Sequence, residues 1–359
     1  MTAARPHSPG ALPPTHRRHM IGETPSYPGP VPAFARVVVM SLNAAAQRIA
    51  ADIADRAGAL GVSVQRVGRA TVIDCGVEAA GSRAAGILVA CAAMGGRGAV
   101  RVDPAGVDGL WPDCPWPTVV VGSDDPVTAC LASQYAGWKL SVGKYFAMAS
   151  GPFRALVGRE ELFAHIGRRE HDTVAVALLE AGRLPDATVC ARLAGDAGID
   201  EEHLTVLVAR TASEAGTLQV IARSLETALH RLHVAGFDVE RIRRGSGRAP
   251  LAPVAADDLS AIGLTNDAIL YGGRVVLEVT GDDASLAEVG PRIVSRGSPA
   301  YGSPFRDIFA QAGGDFYAID PALFAPAEVE FVNVTTGRRQ SFGGVDAAII
   351  ARSFGPAAG

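Results

Sequence analysis

Apolar side chains recur at steps of three and four in the stretch that begins at Ser41. This spacing places them on one face of an α-helix, because a helix completes a turn in about 3.6 residues. A serine hydroxyl before the first apolar position can accept a backbone N–H of the first turn, so Ser41 is the predicted N-cap. The apolar face consists of Leu42, Ala45, Ile49, Ile53, Ala57 and Leu60.

Short aliphatic runs alternate with helical stretches along the rest of the chain. Such runs predict strands at 71–73, 118–121, 174–178, 204–208 and 275–279. Two further runs, 329–334 and 339–342, flank Thr336-Gly337 and predict a β-hairpin. Helix starts are predicted at Asp125-Pro126 and Ser303-Pro304, with helix ends near Gly137 and Gly313. Because helices and strands alternate throughout, the predicted class is mixed α/β.

The chain divides by composition into a tail and an ordered region. Residues 1–36 contain eight prolines and three histidines without apolar periodicity, which predicts a flexible Pro-rich tail. They also lack the apolar segment of a signal peptide. The remaining length suits two α/β domains, which we place at 37–200 and 201–359.

One predicted helix, over residues 213–236, carries a polar stripe beside its apolar stripe. The polar stripe contains Gln219, Arg223, Glu226, His230 and His233 at steps of four, three, four and three. Arg223 and Glu226 are therefore expected on one helix face, and their long side chains can reach a cleft at the edge of the core. Periodicity alone favours a solvated ion pair as the simpler interpretation.

Charge and cysteine content exclude several classes of partner. A net charge of -4 leaves no excess of basic residues to neutralise phosphates, so we expect no nucleic-acid partner. No run of about 18 apolar residues is present, so we expect no membrane span. The five cysteines form no CxxC and have no histidine at metal-ligand spacing, which predicts free thiols, no metal site and a reducing, cytoplasmic compartment. The nucleotide, hydrolase and zinc-protease signatures GxxxxGK[ST], GxSxG and HExxH are also missing.

Eight strings, in order along the chain, resemble the methenyl-tetrahydromethanopterin cyclohydrolases. They are DCGV at 74–77, GS at 81–82, AGI at 85–87, ASQYAGW at 132–138, KYFAMASGP at 144–152, GRAP at 247–250, TND at 265–267 and IDPALFAPA at 319–327. The resemblance implies two α/β domains with a large pocket between them, assembled as a homotrimer. It also implies hydrolysis of the methenyl bridge of a tetrahydromethanopterin-type carrier to the formyl form, without a cofactor.

The resemblance implies a catalytic arginine and glutamate three residues apart, after a Thr-Ala-Ser turn. Here the turn is residues 211–213, and the pair is Arg223 and Glu226. A carboxylate can act as general base toward the water that attacks the electrophilic methenyl carbon. An adjacent guanidinium is expected to keep that carboxylate ionised and oriented, against the rise in pKa that burial causes. The resemblance thus favours a catalytic pair over a solvated one.

Further residues are candidates for binding the carrier, which has a pterin head and an acidic tail. Backbone at glycine turns and two arginines can hold anionic groups, while two carboxylates can accept hydrogen bonds from the amino-pyrimidine edge. Each of these residues can equally serve the fold alone. The candidates are Gly95, Gly96, Gly151, Arg154 and Arg248 for anionic groups, Glu180 and Asp267 for the pterin, and Ser150 as a further substrate-binding residue.

Two departures from the family pattern are present, and two alternative functions remain open. Arg210 stands where proline is expected before the Thr-Ala-Ser turn, and the Pro/His-rich tail is additional. The alternatives are a carrier-binding protein without turnover and a cyclohydrolase that acts on a tetrahydrofolate-type carrier. The SQY string at 133–135 suggests a role in bacterial formaldehyde oxidation.

Overall fold

A computed structural model describes residues 40–107 and 109–356. The predicted tail, residues 1–36, lies outside the described residues. Within the described part of the chain, strands form two six-stranded sheets and helices lie between them in the sequence, which confirms the mixed α/β class. No helix in this part is both long and apolar enough to span a bilayer.

The first sheet has the strand order β1-β2-β8-β7-β6-β5. Its strands are β1 (Ser63–Val67), β2 (Ala70–Asp74), β5 (Trp138–Val142), β6 (Tyr145–Ser150), β7 (Ala175–Glu180) and β8 (Leu204–Ala209). The central strands β2, β8 and β7 are parallel. All six residues of β8 are buried, as expected for a strand that is covered on both faces.

The second sheet has the order β12-β11-β10-β9-β4-β3. Its strands are β3 (Ala99–Asp103), β4 (Thr118–Ser123), β9 (Ile242–Pro250), β10 (Arg274–Val279), β11 (Glu328–Asn333) and β12 (Arg339–Gly343). Among the described strands of this sheet, only β10 and β11 pair in parallel. The antiparallel pairing of β11 with β12 confirms the predicted hairpin around Thr336-Gly337.

Both sheets draw strands from either side of residue 200. Strand β8 follows that residue but lies at the centre of the first sheet, and β3 and β4 precede it but belong to the second. The register of β4 against β9 pairs Thr118 with Pro250. The division into domains at 37–200 and 201–359 remains a prediction. Each of the predicted strands is present.

The α-helices lie between the strands in the sequence, and a predicted cap marks where the first of them begins. They are α1 (Leu42–Asp55), α2 (Ala57–Leu60), α3 (Arg83–Ala93), α4 (Phe153–Val157), α5 (Leu162–Ile166), α6 (Ala187–Ala197), α7 (Glu214–Ile221), α8 (Ser224–Val234), α9 (Asp258–Leu270), α10 (Asp283–Val289), α11 (Phe305–Gln311) and α12 (Ala347–Phe354). The Ser41 hydroxyl accepts the Ala44 N–H at 3.0 Å, which confirms the predicted cap of α1.

The predicted helix over 213–236 is wrong in one respect, because the structure divides it into α7 and α8. The Arg223 N–H donates to the Val220 carbonyl at 3.0 Å, which is the tighter spacing of a 3₁₀ turn. The Arg223 carbonyl in turn accepts both the N–H and the hydroxyl of Thr227. The apolar stripe continues across this junction with Ile221, Ala222 and Leu225 buried, so periodicity carries no sign of the break.

Candidate active site

The Arg223 guanidinium lies at the centre of a buried polar cluster at the α7–α8 junction. Its Nη1 donates to the Gln134 carbonyl. Its Nη2 donates two hydrogen bonds of 3.0 Å, one to Ser150 Oγ and one to Gln219 Oε1. The arginine is only 6% exposed. Three separate parts of the chain thus converge on one guanidinium: the end of a helix at Gln134, the end of β6 and the last turns of α7.

Gln134 is the last residue of a π-helix, Val127–Gln134, which follows the predicted start at Asp125-Pro126. The wider π turn is closed by the Tyr135 N–H, which donates to the Cys130 carbonyl at 2.8 Å. Ser133 anchors this end: its hydroxyl donates to the Ala93 carbonyl at 2.6 Å. Short π-helices occur often at functional sites, because the altered winding re-aims side chains and carbonyls.

Glu226 lies in the first turn of α8 and is 6% exposed. Burial raises the pKa of its carboxyl from 4.5 to about 7, while the positive charges of Arg223 and Arg154 oppose that rise. Within the described residues, no group donates a hydrogen bond to this carboxylate, and Arg223 forms no ion pair with it. The expectation of a guanidinium that directly holds Glu226 ionised is therefore corrected: Arg223 acts through space, and burial has the larger effect.

Several polar atoms around Arg223 are buried without a hydrogen-bond partner among the described residues. They are Arg223 Nε, Gln134 Oε1, Gln219 Nε2 and Ser224 Oγ. A buried polar atom without a partner costs about 1–3 kcal/mol, so such atoms rarely cluster unless water or a ligand satisfies them. The unpaired polar atoms around Arg223 therefore mark a candidate site for a polar ligand or ordered water beside α8.

Glu180 is the last residue of β7, and its charge acts on Arg223, while Thr211 lies two residues after the end of β8. The Thr211 hydroxyl donates to the Glu180 carboxylate. Burial lowers the pKa of Arg223, and the negative charges of Glu226 and Glu180 oppose that change. The structure thus brings the candidates Ser150 and Glu180 together with the Arg223–Glu226 pair.

Gly151 follows Ser150 in a left-handed turn with φ 93°. Its N–H donates to the Ser133 carbonyl at 2.9 Å, and a Cβ here would lie 3.3 Å from the backbone of β7. Gly151 therefore permits the close approach that sets Ser150 beside Arg223.

Arg154 is fully buried, and its contacts are to protein groups. It forms an ion pair with Glu160 at 2.9 Å and donates to the carbonyls of Leu131 and Ser133. Its guanidinium also lies 5.0 Å from the centre of the Tyr135 ring. These contacts fix the end of the π-helix, so the structure gives Arg154 a structural role, and its role in binding an anion stays a prediction.

The other predicted binding residues lie in contacts elsewhere in the described chain. Asp267, on α9, accepts the Phe305 N–H at 2.8 Å and the Ser353 hydroxyl at 2.5 Å, and burial raises its pKa to about 7. Arg248, on β9, lies 3.7 Å from Asp103. The binding roles of Asp267 and Arg248 remain predictions.

Gly95 and Gly96 close the C-terminal end of α3 in left-handed conformations, with φ of 61° and 67°. A Cβ on Gly95 would lie 2.6 Å from a methyl carbon of Leu42 on α1, and one on Gly96 would lie 3.1 Å from Ala45. Packing of α3 against α1 explains both glycines, and their part in binding an anion remains untested.

Gln134, Gln219 and Thr211 are site residues for which the sequence analysis gave no role. Gln219 stands four residues before Arg223, which is the spacing of side chains that meet on a helix, and this signal was available. The Gln134 contact uses its backbone carbonyl, which has no signature in the sequence.

The Arg210 departure also has a structural explanation. Asp258 accepts both Arg210 Nε and the Ala212 N–H, at 3.1 and 2.9 Å. These two hydrogen bonds hold the turn before α7 in place, although its first residue is not a proline.

Comparison with known proteins identifies relatives over nearly the whole described chain. The family model described as Cyclohydrolase (MCH) matches residues 41–354. A protein named methenyltetrahydromethanopterin cyclohydrolase from Methylobacillus flagellatus is 41% identical over 316 residues, or 88% of this chain and 95% of that protein. Proteins of the same name from Methylobacterium sp. 4-46 and Methanosarcina barkeri are 42% and 39% identical, covering 88% and 80% of this chain and 97% and 89% of their own lengths.

The family match spans far more than half of the chain, and these relatives exceed 30% identity over more than two thirds of it. The chain belongs to the Cyclohydrolase (MCH) family.

Proposed function

We propose that this chain is an enzyme that hydrolyses the methenyl bridge of methenyl-tetrahydromethanopterin to the formyl form. The relatives carry the name of this activity. The observation that carries the proposal is Glu226, a buried carboxylate whose pKa is about 7 and which accepts no hydrogen bond from the described residues, beside a guanidinium cluster with unsatisfied polar atoms. A carboxylate in this state is a competent general base near neutral pH, because catalytic groups work best when their pKa lies near the operating pH.

Hydrolysis requires one water and one proton relay. Glu226 accepts a proton from the water as its oxygen bonds to the methenyl carbon, which is already electrophilic within its delocalised cation. The carboxyl then gives that proton to the departing nitrogen as the carbon–nitrogen bond breaks. The second water proton, on the hydroxyl of the tetrahedral intermediate, leaves to solvent as the formyl carbonyl forms, so that the positive charge of the substrate ends as one released proton. The positive charge of the substrate also lowers the pKa of the nearby carboxyl and so favours its reactive ionised form.

Arg223 acts in this scheme as an electrostatic and positioning partner. Its Nη atoms are fixed by Gln134, Ser150 and Gln219, which leaves the unsatisfied Nε as a donor for an attacking water or a carrier oxygen. A donor held in place before the reaction stabilises developing negative charge on oxygen without reorganisation. The guanidinium therefore stabilises the tetrahedral intermediate that forms when Glu226 deprotonates the attacking water.

The substitution Glu226→Gln tests this function because it keeps the shape of the side chain and removes the base. We expect turnover, followed as loss of the methenyl chromophore's near-ultraviolet absorbance, to fall about 10²–10⁴-fold while carrier binding persists. Glu288→Gln, at an exposed position on α10, is the matched control and should retain wild-type turnover. Near-normal turnover in Glu226→Gln would refute the assignment.

Further properties belong to the same proposal. We expect turnover without a metal or redox cofactor, which dialysis against a chelator tests, and a preference over a tetrahydrofolate-type carrier, which parallel assays test. Wild-type chain that binds the carrier without turning it over would favour the carrier-binding alternative. We further propose a cytoplasmic homotrimer that serves formaldehyde oxidation; light scattering of the purified chain and growth of a deletion strain on one-carbon compounds test these points.

A further inference from the structure

Arg154, in α4, is a second buried arginine in the neighbourhood of Glu226, and its side chain is inaccessible to solvent. Its Nη1 donates to the carbonyls of Leu131 and Ser133, at 3.0 and 3.3 Å. Its Nε and Nη2 both donate to the carboxylate of Glu160, which lies in the loop before α5. The guanidinium therefore joins the end of the π-helix to a loop that carries the compensating negative charge.

The contacts of Arg154 support the π-helix end and the Gly151 turn, which carry two of the three partners of Arg223. Ser133 directly precedes Gln134, so a donor that holds the Ser133 carbonyl restricts the next peptide group, whose carbonyl accepts from Arg223 Nη1. The Gly151 N–H donates to the same Ser133 carbonyl, and the Arg154 N–H donates to the Gly151 carbonyl at 3.1 Å. Loss of the Arg154 side chain should therefore loosen the groups that fix Arg223.

The charge of Arg154 also acts on Glu226. The positive charges of Arg223 and Arg154 both oppose the rise in the Glu226 pKa that burial causes. Three further titratable side chains lie near this carboxyl and are uncharged near neutral pH, because burial shifts the pKa of each away from that range: Cys130, Tyr135 and His230. The charge balance at Glu226 thus depends on the two arginines, and Glu160 compensates one of them.

The ion pair of Arg154 with Glu160 is weak evidence for a purely stabilising role. Apolar side chains of similar volume often replace a buried ion pair without loss of stability. The location of this pair, directly behind the carbonyls that hold Arg223, is what indicates a role in the reaction.

We propose that Arg154, balanced by Glu160, is a positioning residue for the hydrolysis: it holds the Gln134 carbonyl and the Gly151 turn against Arg223 and supplies a second positive charge to the Glu226 site. This inference rests on the function proposed above. Arg154 acts through Arg223 and Glu226, so its removal should change both the rate and the pH dependence of turnover.

Three substitutions separate the geometry of Arg154 from its charge. Arg154→Lys keeps the charge but loses the planar set of donors, so kcat should fall about 10- to 100-fold while the pH at which kcat/KM levels off stays unchanged. Arg154→Met also removes the charge, so that pH should rise by about one pH unit. Glu160→Gln keeps the shape of the side chain and leaves Arg154 uncompensated, so that pH should fall. A merely structural arginine predicts no shift in either direction.

Glu161→Gln, at the exposed neighbouring position, is the matched control and should keep the wild-type profile. The Glu160 side chain is 22% exposed, so Glu160→Gln should fold even if Arg154→Met does not. A Glu160→Gln profile that coincides with those of the wild type and the control overturns the proposal. Wild-type kcat in Arg154→Lys overturns it as well.

A second measurement of the same link needs no turnover. Urea unfolding over a pH series gives the pH above which Glu226→Gln gains no further stability over its parent chain, because the carboxylate of the parent is then fully ionised. In the Glu160→Gln background this pH should fall, as the kinetic one does. A shift in stability without turnover in the wild-type chain would refute the proposed function, whereas turnover with no shift in either measurement would refute the role of Arg154 alone.

Discussion

Glu226 should reduce the stability of the fold while it serves the reaction. Burial raises the pKa of its carboxyl from 4.5, the value that applies in the unfolded chain, to about 7. The folded state therefore binds more protons than the unfolded state between these two values, and the free energy of unfolding must fall as the pH rises through that window. The loss is absent below pH 4.5 and complete above about pH 7.

The magnitude follows from the same two values. A rise in pKa from 4.5 to about 7 corresponds to roughly 3 kcal/mol of stability lost once the carboxylate is ionised. That is a large share of the ~5–15 kcal/mol that holds a typical domain folded. Replacing Glu226 with glutamine, which resembles the protonated form, should recover up to this amount at pH 8 and change little at pH 4.5.

Urea unfolding of the wild type, Glu226→Gln and the Glu288→Gln control, each at pH 4.5 and pH 8, measures this effect. The Glu226→Gln chain should be more stable than the wild type at pH 8 only, and the control should match the wild type at both values. A variant whose free energy of unfolding equals that of the wild type at pH 8 would refute the reasoning. It would mean that solvent or an unrecognised partner stabilises the carboxylate.

Three other perturbations follow from the site and its supports. The value of kcat/KM, which reports the free enzyme, should rise with pH and level off above about pH 7 as Glu226 ionises. A pH–rate profile measures this, and a flat kcat/KM from pH 5 to 8 would contradict the base assignment. Gln219→Leu removes an acceptor of an Arg223 hydrogen bond and should lower kcat about tenfold with the fold intact. The exposed control Gln65→Leu should leave kcat unchanged. An unchanged kcat in Gln219→Leu would show that Arg223 does not need this hydrogen bond. Gly86→Ala places a Cβ 2.9 Å from the α7 backbone and should lower the free energy of unfolding by about 1–3 kcal/mol in urea; no loss would mean that α3 and α7 can move apart freely.

The sequence predicted local structure well where one residue pattern controls it. Ser41 caps α1 as predicted, although the apolar steps continue to Leu60 whereas α1 ends at Asp55 and the short α2 follows. The aliphatic runs define strands such as β8, which is buried along its whole length. The Thr336-Gly337 turn likewise predicted its hairpin. These features depend on neighbours within a few residues, which a single sequence displays.

Features that depend on distant contacts were missed. The break at Arg223 arises from backbone hydrogen bonds and from the Thr227 hydroxyl, and the apolar stripe continues across it. The partners of Arg223 come from a π-helix and from β6, more than 70 residues earlier in the chain. The rise in the Glu226 pKa similarly depends on tertiary burial, which charge spacing along one helix does not show.

The interleaving of the two sheets has a consequence for the nascent chain during synthesis. The first sheet lacks its central strand until residue 209 has left the ribosome, and β4 has no partner on one side until β9 is complete at residue 250. Until then, open backbone edges at β2, β7 and β4 can pair with other chains. The central strand pairs of both sheets can therefore form only after about two thirds of the polypeptide has been synthesised. Until that point the nascent chain should need chaperones most.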